Sequence, residues 1–400
     1  MPLPTGVYRA DQVGSLLRPK EILEARQKVS SGAMTATELR ALEDKHIAQV
    51  VRQQLASGLR SITDGEFRRA WFHLDFLQHF DGVEVRGNLQ STNQSKGGVM
   101  PPRLVVTGKL GHSKAIQVDD YLFLKEQIEA AKTEQSLSSG SDSTSATASA
   151  SAYAAASPKV AIPSPTMVHF RGGRDAIDST AYPNLDDFFS DLASVYQAEL
   201  ASLYDAGCRF VQLDDTNLAY LCDSKMRSEA ESRHGSDAAT LAAQYADLIN
   251  RAISKRPADM TIGIHLCRGN HRSQWFAQGG YEPVAEVLFK KLNVDVYFLE
   301  YDDARSGDFS PLRHLPENKV VVLGVMTSKT GELDDAAQIE QRVREAAGYC
   351  PRGLDQLCLS HQCGFSSTME GNELTESQQW EKIKLEVEIA KKIWGEDISK

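Results

Sequence analysis

Residues 261–301 read TIGIHLCRGNHRSQWFAQGGYEPVAEVLFKKLNVDVYFLEY. The stretch opens on one short β-rich run, TIGIHLC (261–267), and closes on another, VYFLEY (296–301), while residues 282–292 between them carry a helical period. Strand, helix and strand in succession is the unit from which parallel sheets are built. The same alternation extends in both directions. Further strand candidates are ADQVGSL (10–16), SITDG (61–65), VAIPS (160–164), FVQLD (210–214), VVVLGVM (320–326) and QLCLSHQ (356–362), which brings the total to eight. Helical patterns fall at 185–205, 230–254, 334–347 and 376–394, and two opening helices are expected at 20–29 and 35–55.

Eight mostly apolar runs, most followed by a helix, predict an α/β fold with a single closed (β/α)₈ TIM-type barrel. An open doubly wound sheet is the competing architecture, but the G-x-G-x-x-G turn of a dinucleotide site is absent. The whole of 1–400 is expected to be one catalytic domain. Residues 97–118, GGVMPPRLVVTGKLGHSKAIQV, read as a hairpin excursion between strands two and three, followed by a helix. Residues 133–157, TEQSLSSGSDSTSATASASAYAAAS, hold almost no large apolar side chain and predict a disordered low-complexity insertion.

Composition narrows the function. Hydrophobic residues are 41% and charged residues 24% of the 400, as in globular proteins. The net charge of −10 carries no basic block, which argues against a nucleic-acid surface and for small-molecule partners. No apolar run reaches a membrane span, and the first residues lack a signal-peptide pattern, so a cytoplasmic protein without a membrane partner is expected. Six cysteines (208, 222, 267, 350, 358, 363) are too few for a disulfide scaffold. Any special cysteine is then a ligand or a nucleophile.

In a barrel of this kind the chemistry gathers at the C-terminal ends of the strands. Those ends carry Ser15, Glu66, Ser164, Asp214, His265 with Cys267, Glu300, residues 327–329 and Cys363. Residues i and i+2 of a strand share a face, so His265 and Cys267 can grip one ion. Glu300 and Cys363 end two other strands at the same mouth. One nitrogen, one carboxylate and two thiolates suit Zn²⁺. His361 lies two residues before Cys363 and competes for His265's place, or supports the ligands from behind. The other four cysteines read as packing. Glu66 and Asp214 are either salt-bridge partners or the hold on a substrate's cationic group, and Arg18 and the run RGNHR (268–272) are candidate carboxylate partners.

The motifs V-G-S (13–15), D-G-E (64–66), Q-L-D-D (212–215), I-H-L-C (264–267), F-L-E (298–300) and H-Q-C-G (361–364) together resemble the catalytic barrel of the cobalamin-independent methionine synthases in stand-alone form. The resemblance runs over residues 11–393 outside the insertion. It implies a zinc-dependent methyltransferase of methionine biosynthesis that carries a methyl group from 5-methyltetrahydrofolate, typically polyglutamylated, to homocysteine. It further implies His265, Cys267, Glu300 and Cys363 as the zinc ligands, and Ser15, Glu66 and Asp214 as the residues that hold the amino acid. No residue is identified as the acid that protonates the leaving group. This chain departs from the synthases after the seventh strand, where they carry a histidine and it reads M-T-S-K-T (326–330), and after the third, where I-P-S-P-T-M (162–167) stands in place of a tryptophan. The alternatives are a zinc alkyltransferase for a different thiol, similar to the epoxyalkane:coenzyme M transferases, and a non-catalytic zinc-containing barrel that binds a ligand.

Overall fold

Six strands, every residue of them buried, form one parallel sheet in the order β10-β9-β8-β7-β6-β5 in the computed structural model, which describes residues 2–86, 102–138 and 154–398. They are β5 (Val160–Pro163), β6 (Phe210–Asp215), β7 (Thr261–Leu266), β8 (Val296–Glu300), β9 (Val320–Met326) and β10 (Leu357–His361). Burial on both faces explains why these strands read as continuous apolar runs rather than as alternating ones. Their outward side chains pack under helices such as Leu185–Asp205, Ala238–Ile253 and Ala336–Ala347 in one large core.

The two remaining strand positions are held by fewer bonds. β1 is only Ser61–Ile62, paired in parallel with β4, Ser157–Pro158, immediately before β5. Residues 10–16 form no ladder: Ala10 bridges Leu359 of β10, the Asp11 amide donates to the Leu359 carbonyl (3.0 Å), and the Leu16 amide donates to the Gly65 carbonyl (3.0 Å). The segment thus stands between β10 and β1, an α/β arrangement with a parallel sheet that is consistent with a TIM-type (β/α)₈ barrel, in which residues 10–16 contribute one bridge and β1 a two-residue ladder. Inside, Phe210, Phe298, Val322 and Cys358 form a layer, and Gly263 leaves room for two rings: a Cβ there would lie 3.1 Å from Phe298 and 3.2 Å from Phe210.

Two opening helices, Lys20–Ser30 and Ala36–Ala56, lie where expected, the second begun by a Thr35/Glu38 capping box. Other expectations are corrected or refined. The helix expected over 230–254 is two, Ser224–His234 and Ala238–Ile253, because Gly235 adopts a left-handed conformation (φ 63°) and Asp237 caps a new start. The helix expected over 282–292 is present as one continuous helical stretch over 282–291, but of mixed type: 3₁₀ at Glu282–Val284, with Pro283 in that turn, and π at Val287–Lys291. The hairpin starts earlier than read: β2 (Asp81–Arg86) pairs antiparallel with β3 (Arg103–Gly111). Ordered structure also enters the expected insertion from both ends, since a helix spans Val118–Ser138, Ala156 is buried, and Ser157 pairs with Ser61. Residues 139–153 of that insertion lie outside the described residues.

Candidate metal centre and substrate cavity

Strand alternation turns Gly263, His265 and Cys267 to the barrel interior, Phe298 and Glu300 likewise, and Phe210, Gln212 and Asp214 likewise. Packing at the base of the barrel therefore gives way, along the same faces, to polar groups at its mouth. Donor atoms of His265, Cys267, Glu300 and Cys363 all lie within 4.8 Å of one another, and all four residues are buried.

The details suit a metal ion. The two sulfurs, Cys267 Sγ and Cys363 Sγ, are 3.6 Å apart. Two thiolates each about 2.3 Å from a tetrahedral zinc would stand about 3.8 Å from each other. His265 Nδ1 lies 3.3 Å from the Phe298 carbonyl, which can only accept, so Nδ1 carries the proton. That leaves Nε2 with its lone pair, buried and without a partner. Glu300 Oε1 accepts from the Arg268 amide (2.9 Å), and Oε2 accepts from Arg305 Nη2 (3.1 Å). Cys267 Sγ accepts from the Gly269 amide at 3.3 Å.

Without a cation the four groups share protons instead. The Cys267 sulfur beside it holds the Cys363 thiol well below its usual range, and Cys267 is pushed well above, so one proton serves both sulfurs. Burial disfavours a charged His265, but the Cys363 sulfur, Asp214 and Glu300 outweigh it and raise the ring to about 9. Burial raises Glu300.

Beside the cluster lies a cavity of about 290 Å³, lined by His265, Cys267 and Cys363 and also by Ser15, Glu66 and Asp214. Ser15 reaches it because residue 364 is glycine; a Cβ there would meet Ser15 Oγ at 1.9 Å. Glu66 is a non-glycine residue at φ 58°, a strained conformation of the kind that collects at functional sites. Burial lifts its carboxyl to about 7, opposed by Arg69, whose Nη1 is 3.9 Å away, and helped by Asp214. Burial raises Asp214 too, against His265 and the Gln212 amide that donates to it at 2.7 Å. Two buried carboxylates with one arginine at ion-pair distance are short of positive charge.

Other expected site residues stand elsewhere. Ser164 caps the 3₁₀ turn Pro165–Val168 and does not line the cavity. Lys329 lies behind Glu300, 3.9 Å from Asp302. Arg18 is spent on the carbonyls of Ser366, Thr368 and Glu66, and Arg268 is buried over the Tyr281 ring. His361 is not a ligand of the cluster: its Nδ1 pairs with Glu386 of the last helix at 2.8 Å, and the ladder with β9 shifts register between Ser360 and His361. Burial pushes the thiols of Cys208, Cys222, Cys350 and Cys358 up to about 12, as packing residues.

His271, from the run RGNHR, lines the cavity, which also has walls the sequence reading did not single out: Trp71, Phe72, His73, Tyr220 and Phe276. The signal was present in W-F-H (71–73), an aromatic run in the loop that follows a barrel strand, where the chemistry of such a barrel gathers. Among the described residues no helix is long and apolar enough to cross a membrane.

Residues 112–392 match the family model described as the cobalamin-independent synthase catalytic domain. YxjH of Bacillus subtilis is 43% identical over 388 residues, covering 97% of this chain and 95% of its own. A crystal structure of a Listeria monocytogenes protein is 38% identical, covers 99% of both chains and superposes with a TM-score of 0.73. A B12-independent methionine synthase from Shewanella sp. W3-18-1, solved with selenomethionine, shares the fold at 17% identity, with a TM-score of 0.67 over 97% of this chain and 98% of its own.

Proposed function

The chain belongs to the cobalamin-independent methionine synthase family, and on that premise we propose that it is a single-domain, zinc-dependent cytoplasmic methyltransferase that moves the methyl group of 5-methyltetrahydrofolate, polyglutamylated in use, to homocysteine to form methionine. The observation that carries this reading is the shared cavity: three of the four clustered donors and the cation-hungry pair Glu66 and Asp214 open into one space of about 290 Å³. A thiol that also bears an ammonium can satisfy both ends at once.

His265 Nε2, the two cysteine sulfurs and Glu300 would hold the ion. Bound zinc supplies a thiolate at neutral pH, where a free thiol with a pKa of about 8.5 is mostly protonated. Glu66 and Asp214 hold the ammonium and so fix the distance from Cα to the attacking sulfur, with Ser15 beside them. Trp71, Phe72 and Phe276 wall the space and exclude water from the reacting atoms. Sulfur attacks the methyl carbon in line, the C–S bond forms as the C–N bond breaks, and the departing nitrogen takes a proton.

The test is a product assay with homocysteine and methyltetrahydrofolate bearing one or several glutamates, with and without a chelator. Methionine formed only in the metal-replete protein supports the proposal. Turnover of another thiol in place of homocysteine would instead favour an alkyltransferase.

A further inference from the structure

At the rim of the cavity His271 faces Glu370, with Nε2 and Oε1 3.8 Å apart. The separation is too long for a hydrogen bond and short enough for an ion pair. His271 Nε2 and both carboxylate oxygens of Glu370 are buried, and none has a hydrogen-bond partner. Orphaned polar atoms of this kind call for an explanation, and here three of them meet beside a substrate cavity.

The loops that carry the pair are held in place. His271 and Gln274 exchange backbone hydrogen bonds, each 3.0 Å, across a turn whose central residues, Arg272 and Ser273, both adopt positive φ (48° and 65°) without being glycine. Ser273 ties that turn to the other loop: its amide donates to Asn372 Oδ1 (3.2 Å) and its Oγ accepts from the Glu373 amide (2.8 Å). The second loop descends directly from Cys363, and Asn270, next to His271, donates to the Gly364 carbonyl at 3.0 Å. Strain held by the surroundings in this way marks a side chain whose position matters.

Transfer of a methyl group from nitrogen needs a proton donor at the departing atom. We propose that His271, oriented by Glu370, is the acid that protonates the nitrogen leaving group of the methyl donor, a role that rests on the methyltransferase reading above. As sulfur takes the methyl carbon, the electron pair of the broken C–N bond takes the proton of the imidazolium. The neutral ring then regains a proton from solvent, which received one when the thiol ionised. Glu370 is a positioning residue that supplies the counter-charge an imidazolium needs in a half-buried site. Of the other two histidines that line the cavity, His265 belongs to the metal cluster, and His73 is unsuited: among the described residues it makes no ion pair with a carboxylate, and burial together with Arg171 keeps its ring neutral.

The experiment compares two donors on the metal-replete protein, methyltetrahydrofolate, whose nitrogen must be protonated, and methyl iodide, whose leaving group needs no proton. For His271→Asn, and for His271→Gln should the first fail to fold, turnover with the folate is expected to fall about 100-fold or more while alkylation by methyl iodide changes less than about threefold. Zinc content should match the parent. Glu370→Gln should show the same donor selectivity with a smaller loss, a pattern that a purely structural role would not produce. A parent active with both donors, and histidine variants that slow both equally or neither, would overturn the acid role alone. A parent that methylates homocysteine with neither donor would overturn the methyltransferase reading and the acid with it.

Discussion

If the proposed reading holds, Glu66→Gln separates binding of the amino acid from binding of the metal. Burial, only partly offset by Arg69, lifts the Glu66 carboxyl to about 7 from its ordinary 4.5, so the free protein holds a proton there below that pH. An ammonium placed against the group favours the carboxylate and expels the proton. Methionine, which has the ammonium but no thiol, should therefore bind at full strength above about pH 8 and weaken as the pH falls through 7, by about 30-fold at pH 5.5. The amide of the variant would not titrate. The variant should bind methionine about 10- to 150-fold more weakly at pH 8, the equivalent of one charged hydrogen bond at about 1.5 to 3 kcal/mol, and should lack the loss of affinity through pH 7 that Glu66 causes. Stability moves the other way. A carboxyl raised on folding contributes stability that is present below its unfolded value and lost as the pH rises through the folded one. The ligand-free parent thus gives up, between about pH 4.5 and 7, on the order of 3 kcal/mol that the variant keeps. Calorimetric titration in two buffers of different ionisation heat reads affinity and proton release together. A parent affinity unchanged from pH 5.5 to 8, with no proton released, would refute the reasoning, as would a variant that kept the parent's slope.

Elemental analysis should find one zinc per chain, and Cys267→Ser or Cys363→Ser should lose it; unchanged zinc in both would overturn the site. Arg305→Gln removes the guanidinium that holds Glu300 Oε2 and should speed loss of zinc to a chelator by about 10- to 100-fold with secondary structure intact. His361→Asn should keep its zinc and lose about 1 to 3 kcal/mol of stability, because the partner of Glu386 is gone; zinc loss would restore His361 as a ligand.

What the sequence disclosed depended on how local the determining forces are. The strands from β6 to β10 could be placed to within a residue or two because each is a dense apolar run buried on both faces, and the four donors followed from counting along those strands. Segments held by few bonds were harder. ADQVGSL (10–16) reads as a strand but makes one bridge, and SITDG (61–65) keeps only two strand residues before turning to reach the cavity. His361 shows the limit of the i, i+2 rule, which holds only within a strand, whereas β10 ends at His361 and Cys363 lies beyond it. The pairing of His271 with Glu370 was beyond sequence reasoning altogether, since it joins two loops whose meeting is fixed by side-chain bonds such as that from Ser273 to Asn372.

Four protein ligands could equally describe a closed structural site, and the surroundings of Glu300 argue otherwise. A structural ion is enclosed by its ligands, whereas His265, Cys267 and Cys363 all border an open cavity while Glu300 stands behind them, outside its lining. A buried carboxylate that depended on an ion for its only positive charge would be costly to leave unpaired, by several kcal/mol. Glu300 has no such dependence, because Arg305 and the Arg268 amide hold both of its oxygens. Arg305 in turn is anchored by Asp302 at 2.8 Å. The carboxylate is therefore the one donor of the four that an arginine side chain holds in an ion pair among the described residues, and the other three are those that face the cavity. That asymmetry gives an incoming thiol a side from which to approach, which a structural site has no reason to keep.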